Sequence, residues 1–177
     1  MLKKTYEKLG PSVLLKPRFG GWGMGIIKID SIDQLTDTVE YVNTFLPATP
    51  KQIFLEKYYP NDLKKWISVV VIGNKVVFGY RKKLMGNSNW KIYDPEKKDG
   101  RGQYSEYIDP PQELKSIALT AKQAIDKDII CFDFIFTNEG YKIVDENGRP
   151  GLYQHCFDQA GIKIENEIVN LINSKLK

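Results

Sequence analysis

Lys16 and the glycines behind it are the first residues in this chain spaced as if for chemistry. In Leu14-Leu15-Lys16-Pro17-Arg18-Phe19-Gly20-Gly21-Trp22-Gly23-Met24-Gly25 an apolar run delivers one ammonium and then Gly20, Gly21, Gly23 and Gly25. Glycine reaches positive φ without strain and leaves no Cβ between its N–H and an anion, while a nearby ammonium adds charge. The segment therefore has the makings of a phosphate-holding loop. A glycine-rich hairpin beside a solvated lysine reads the same way, and the pattern by itself does not separate the two.

The second cluster is acidic. Phe132-Asp133-Phe134 and Asp145-Glu146-Asn147 lie on two β-rich runs joined by Asn138-Glu139-Gly140. If those three residues form the loop with Gly140 left-handed, Thr137 pairs with Tyr141 and Asp133 falls opposite Asp145. Asn147 then shares their face by the strand period. Opposed Cβ atoms lie about 4.5–5.5 Å apart, where like charges repel. Phe132, Phe134, Ile143 and Val144 make the surroundings apolar, which raises the cost of two unpaired carboxylates. A divalent cation resolves the conflict: two carboxylates and an amide oxygen are hard donors suited to Mg2+ or Mn2+, and Mg2+ completes its shell with phosphate oxygens and water. Glu146 alternates to the other face and ranks below its neighbours as a ligand. Partnering by nearby lysines, or plain exposure, is the alternative for the two aspartates. A phosphate loop and magnesium ligands in one chain read together as a nucleoside triphosphate site.

Composition narrows the setting. A length of 177 residues suits one domain or two small lobes, and 42% hydrophobic residues can build a core. The net charge of +4 suits an anionic ligand without calling for nucleic acid. Aromatic residues such as Trp90 among the basic residues around 80–107 are the one nucleic-acid-like feature. Cys131 and Cys156 lack C-x-x-C spacing and His155 is the single histidine, too few soft ligands for zinc. Both cysteines are expected as reduced, structural thiols. A Cys156–His155 nucleophile pair is disfavoured because sequence neighbours rarely aim at each other. No apolar run approaches the roughly 20 residues of a membrane span, and no signal-peptide core is present, so a soluble cytoplasmic protein is expected.

These residues need elements to hold them. Residues 24–29 read as a strand, and Ser31 can cap a helix with Ile32, Leu35, Val39 and Val42 at helical spacing. Pro47 and Pro50 end that small α+β lobe, and residues 52–59 read as a strand at its boundary. Residues 66–72 and 75–82 form a hairpin about Gly73-Asn74. Residues 86–110 read as a long loop. Pro111 can start a helix that buries Leu114, Ile117, Ala118, Ala121 and Ile125. Strands over 128–136 and 141–146 follow, and a last helix over 164–176 turns Ile168, Leu171 and Ile172 inward.

In these residues the chain resembles the ATP-grasp carboxylate–amine ligases, above all the branch that adds glutamate or other amino acids to a terminal carboxylate. Lys16-Pro17-x-x-Gly20-Gly21-x-Gly23-x-Gly25-Ile26 is similar to that branch's strand and glycine loop, with glycine at Gly21 where serine is usual. Ile53-Phe54-Leu55-Glu56-Lys57-Tyr58 resembles its adenine-binding linker, and Val71-Ile72-Gly73-Asn74-Lys75-Val76-Val77 its central hairpin. Phe132-Asp133-Phe134 with Asp145-Glu146-Asn147-Gly148-Arg149-Pro150-Gly151 resembles its metal-binding end. The likeness covers roughly residues 12–173.

The resemblance implies a two-lobed α+β ATP-grasp fold. Residues 1–52 would be a small glycine-loop lobe, 53–59 an adenine-binding linker, and 60–177 a larger lobe of antiparallel sheet and helices carrying the metal site. Lys16 would contact ATP phosphates under a mobile flap from Gly20 to Gly25. Glu56 and the Lys57–Tyr58 backbone would meet the adenine edge, with Asp62 or Lys64 near the ribose. Asp133, Asp145 and Asn147 would hold Mg2+ or Mn2+, Arg149 would face the phosphates or acyl phosphate, and Arg81 would help neutralise the γ-phosphate.

Departures from the family pattern are specific. Asp145 stands where glutamate is usual, and Ser68 where arginine is usual, so that charge is missing or comes from Lys64 or Lys65. Tyr93 sits near an expected asparagine, while Arg81 and Lys82 can replace the cationic strand facing the phosphates. The family's N-terminal substrate domain has no counterpart ahead of Lys16, which implies a missing lobe, a separate partner or a homo-oligomer. The implied activity joins a small-molecule or peptide carboxylate to an amine through an acyl phosphate, with ADP and phosphate released. The rival is a nucleotide-binding regulatory or partner-dependent module without ligation. Neither substrate is encoded legibly.

Overall fold

The computed structural model describes residues 2–18, 23–45, 53–82 and 105–176. The chain divides into two compact units, Met1–Pro60 and Asn61–Lys177.

The first unit is a three-stranded antiparallel sheet of order β2-β1-β3. Its strands are β1 (Val13–Pro17), β2 (Ile27–Ile29) and β3 (Ile53–Lys57), with helices α1 (Leu2–Leu9) and α2 (Ile32–Phe45). Strand alternation puts Val13, Leu15 and Ile29 into a core with Leu35, against which Tyr6, Leu9, Ile32, Val39, Ile53 and Leu55 pack. Ser31 caps α2 as expected: its hydroxyl accepts from the Gln34 N–H at 3.1 Å, and the Gln34 side chain reaches back to the Asp30 N–H at 2.8 Å. Two features differ from expectation. Helix α1 was not anticipated; it covers the core with only Tyr6 and Leu9, too few contacts for a clear period. Strand β2 starts three residues later than the run suggests, because Gly23 and Gly25 take φ of 70° and 74° and keep that stretch a turn.

The second unit is a five-stranded antiparallel sheet of order β6-β5-β4-β7-β8. The strands are β4 (Ile67–Ile72), β5 (Lys75–Lys82), β6 (Ser105–Ile108), β7 (Ile129–Thr137) and β8 (Gly140–Asn147). Helix α3 (Gln112–Ala124) covers one face, and α4 (Gln154–Ala160) and α5 (Ile164–Lys175) serve the other. On the α3 face Ile67, Val69, Val71, Ile130, Phe132 and Phe134 pack with Leu114 and Ala118. On the opposite face Val70, Ile72, Phe78, Tyr80 and Cys131 pack with Cys156 and Phe157. Both faces are covered, which explains why β4 is buried at every position instead of alternating.

The expected β4–β5 hairpin turns at Gly73, φ 58°, and α3 buries the expected stripe. Three expectations are corrected. Part of the stretch read as a loop over 86–110 is strand β6, whose Ile108 packs beside α3; residues 83–104 lie outside the described residues. Helix α4 was not anticipated; at seven residues it is short, and Gly161 ends it in the left-handed region at φ 67°. On α5, Leu171 packs inward but Ile172 is 52% exposed, because the helix buries only a narrow stripe.

The β7–β8 connection reaches the expected pairing by a different route. Thr137 pairs with Gly140, at φ 91°, so the turn has two residues rather than three. A bulge between Asp133 and Phe134 then inserts one extra residue on β8, and Asp133 pairs with Asp145 after all.

Candidate active site

In the first unit the face of the sheet turned away from the core carries Leu14, Lys16, Lys28, Phe54 and Glu56, all by strand alternation. The Lys16 ammonium lies 2.6 Å from the Glu56 carboxylate, with side-chain exposures of 12% and 29%. The two residues assigned from sequence to phosphate and to adenine are thus direct partners. Lys28 bridges to Asp30 at 2.8 Å and lies over the Tyr58 ring at 4.8 Å. Strand β3 is an edge of this sheet, and the Tyr58 N–H donates to the Ser12 carbonyl at 3.1 Å. By antiparallel alternation Lys57, the next residue back, points its N–H and C=O away from β1. The open backbone edge there belongs to Lys57, and the Tyr58 N–H is already paired. Beyond β1, Gly23 and Gly25 hold a left-handed turn, and a Cβ on Gly25 would come within 3.3 Å of the Pro17 ring. Gly20 and Gly21 lie outside the described residues.

In the second unit the register aligns Tyr107, Tyr80, Ser68, Asp133 and Asp145 in one row across all five strands, on the face that α4 covers. Asp133 is 3% exposed and Ser68 fully buried. The Ser68 hydroxyl donates to Asp133 Oδ1 at 2.5 Å, and Lys82 Nζ approaches Oδ2 at 3.3 Å. A carboxylate this deep is tolerable only with a donor and a counter-charge, and here it has both. Burial alone would push the Lys82 ammonium down, but the Asp133 charge outweighs it and raises its pKa above the ordinary lysine value. Asp145 is exposed on the sheet-edge strand β8, and Asn147 pairs in register with Cys131 one step along the same face.

That donor set fits a divalent cation. Two carboxylates meet in register with an amide two residues on, and one side is open at the sheet edge. Among the described residues no group of three or more His, Cys, Asp and Glu could hold a metal by itself. A cation here would share its shell with oxygens from elsewhere, as Mg2+ bound to phosphates does.

Other expected residues fall less centrally. Arg81 alternates to the face away from Asp133 and is exposed opposite Glu106, so Lys82 rather than Arg81 stands beside the carboxylate row. Arg149 is exposed in the segment leaving β8. Asp62 caps the short 3-10 turn Leu63–Lys65, on which Lys64 and Lys65 are exposed; Lys65 lies over the Phe136 ring at 4.5 Å. Ser68 stands where the family usually carries an arginine, and here its hydroxyl orients the central carboxylate. The signal available for it was a lone polar residue in an otherwise apolar strand.

Both cysteines are free and buried. Contrary to expectation Cys156 Sγ and His155 Nε2 do face each other, at 3.4 Å, because the first turn of α4 folds them toward Ser105. Burial nevertheless pushes the Cys156 thiol up to about 11, which keeps it protonated and a poor nucleophile at neutral pH. No helix among the described residues is long and apolar enough to cross a membrane.

A three-stranded unit presenting a lysine and a left-handed glycine turn, with a five-stranded unit presenting a carboxylate row, defines the ATP-grasp architecture. The RimK-like ATP-grasp domain matches residues 2–172, and the chain belongs to that family. It is 31% identical over 146 residues to the alpha-aminoadipate–LysW ligase LysX of Saccharolobus solfataricus, covering 81% of this chain and 50% of that protein. It is 24% identical over 187 residues to a D-alanine–D-alanine ligase of Haemophilus influenzae, covering 96% and 58%. The chain thus spans about half the length of the curated relatives it matches. In fold it resembles the D-alanine–D-alanine ligase of Bacillus anthracis, with a TM-score of 0.66 at 18% identity over 98% of this chain and 57% of that one. The ATP-grasp ligase PsnB, solved with a minimal precursor, is alike at a TM-score of 0.62 and 18% identity, over 99% and 51%.

Proposed function

We propose that this chain is the nucleotide- and metal-binding core of an ATP-dependent carboxylate–amine ligase. The observation that carries the reading is the in-register Ser68–Asp133–Asp145 row with Lys82 against it, in a chain of the RimK-like ATP-grasp family. Residues 1–52 serve as the small lobe, 53–59 as the linker that meets adenine and 60–177 as the metal-binding lobe.

Asp133, Asp145 and Asn147 would hold Mg2+, with Mn2+ as a substitute; bound there, the ion neutralises and orients phosphate oxygens of ATP. Ser68 fixes the rotamer of Asp133 through its short hydrogen bond. Lys82 keeps a positive charge beside that carboxylate, and Lys16 would contact the ATP phosphates. The Lys57 backbone edge is suited to the hydrogen-bonding edge of adenine, with Glu56 and Tyr58 flanking it. A substrate carboxylate oxygen attacks the γ-phosphorus, the bond to the ADP oxygen breaks, and an acyl phosphate forms. An amine nitrogen then attacks the acyl carbon, phosphate departs, and the nitrogen releases its proton to give the amide. Such catalysis rests on positioning and charge stabilisation, so one histidine in the chain is no obstacle. Arg149 would face the phosphates or the acyl phosphate, while Lys82 takes the place beside the carboxylates that Arg81, on the opposite face, does not reach. The glycine-rich segment from Gly20 to Gly25 would exclude water that hydrolyses the acyl phosphate.

The names of the relatives point to an amino acid as one of the two partners, and the carboxylate substrate is a small molecule or a peptide. Phosphate release from ATP, measured with Mg2+ across amino-acid and peptide carboxylates paired with amines, tests the reading. Release that needs Mg2+, a carboxylate and an amine together is expected. ATP binding with no release on any pair would instead identify a nucleotide-binding module.

A further inference from the structure

The segment 148–153 leaves β8 at one side of the five-stranded sheet, and its last residue, Tyr153, packs on β5 near the other. Strands lie about 4.8 Å apart, so three spacings separate β8 from β5 by about 14 Å. Six residues reach at most about 20 Å, which leaves limited slack. This short crossing carries Arg149, Pro150 and Gly151, and Tyr153 is where it is fastened.

The fastening is specific. The Tyr153 ring meets Tyr80 edge-on, with centroids 5.0 Å apart at 89°, and stacks on His155 at 5.8 Å. His155 in turn lies 2.9 Å from the Ser105 carbonyl of β6. On its other side the phenol presses on Gly151: a Cβ there would lie 2.5 Å from Tyr153 Cζ and 2.6 Å from its hydroxyl. Gly151 is not among the glycines at positive φ, so what a side chain there would have to displace is the Tyr153 ring and not the backbone conformation. Tyr80 is also the register neighbour of Ser68, which holds Asp133. Burial pushes the Tyr153 phenol above the ordinary tyrosine value, with the Lys82 charge opposing it.

We propose that Tyr153 is a positioning residue: its ring pins the Pro150–Gly151 segment against Tyr80 and, through the Tyr80–Ser68–Asp133 row, fixes the metal-binding carboxylate. This rests on the ligase reading for the identity of the ligand. It explains a glycine, two tyrosines and a serine that the family resemblance left without a joint role.

A double-mutant cycle of G151A and Y153A in the full chain tests it, with Y153F as the conservative control. The readouts are the Mg2+ concentration needed for half-maximal ADP binding, by calorimetry, and the thermal unfolding midpoint. Each single variant is expected to raise the Mg2+ requirement about tenfold, the scale on which outer-shell supports act. The double variant should be no worse than either single one, because removing the ring makes room for the new methyl group. Y153F keeps the ring and should stay within about threefold of wild type. Additive effects, or an unchanged Mg2+ requirement in variants that unfold at lower temperature, would overturn the proposal and leave Tyr153 a packing residue. If Y153A fails to fold, G151A against Y153F carries the same contrast. ADP binding by the wild type that is indifferent to Mg2+ would overturn the ligase reading, and this proposal with it.

Discussion

Lys16–Glu56 in the first unit and Lys82–Asp133 in the second are both lysine–carboxylate pairs, yet the shorter of the two is the more dispensable for folding. The first closes to 2.6 Å with its carboxylate 29% exposed; the second stands at 3.3 Å with its carboxylate 5% exposed. Water can replace either partner of the first pair, so its net contribution is small. Asp133 has no such recourse and depends on Ser68 and Lys82 together. Burial, more than distance, decides how much each pair matters.

The largest effect is expected from D133N. Asparagine still accepts the Ser68 hydrogen bond but strips Lys82 of its counter-charge, which should cost about 2–3 kcal/mol in denaturant unfolding and end Mg2+-dependent ATP turnover. Unchanged stability would break the contrast between the units. D145N sharpens it from within the second unit: turnover should be lost as completely, while stability moves by less than about 0.5 kcal/mol because the carboxylate is exposed on an edge strand. Normal turnover in D145N would remove that residue from the metal set. K16A should weaken ATP binding about tenfold and lower stability by less than about 1 kcal/mol; an unaltered dissociation constant would move the phosphate contact elsewhere.

The smallest effect concerns Asp30, whose carboxyl is held below its ordinary value by hydrogen bonds from Lys28 and then Ser12. A lowered folded-state pKa contributes stability that is present above the unfolded value of about 4 and is lost as pH falls through the folded one. An acid titration of unfolding should show a shallower decline below pH 4 in D30N than in wild type. Identical slopes would mean that Asp30 stays equally free in both states.

How legible the protein was depends on whether a signal was local. The β4–β5 hairpin, α2 with its Ser31 cap and α3 with its apolar stripe were all readable, because each depends on turn chemistry or periodicity within a few residues. Helices α1 and α4 were missed: at seven or eight residues they bury too few side chains to establish a period. Strand β6 was missed because its pairing with β5 is a long-range contact. The opposition of Asp133 and Asp145 was foreseen, though a tighter turn and a bulge produce it, so the correct pairing came from a loop one residue too long.

The sequence by itself determined which residue types were available: a lysine before a glycine run, and two aspartates with an asparagine on paired strands. Those follow from spacing, which the chain carries along its length. Only the tertiary structure decided that Lys82 and not Arg81 meets Asp133, that a serine orients it, and that Tyr153 closes over Gly151. Each of these depends on which face of a strand meets which neighbour across the sheet, and a single strand's period does not contain that choice.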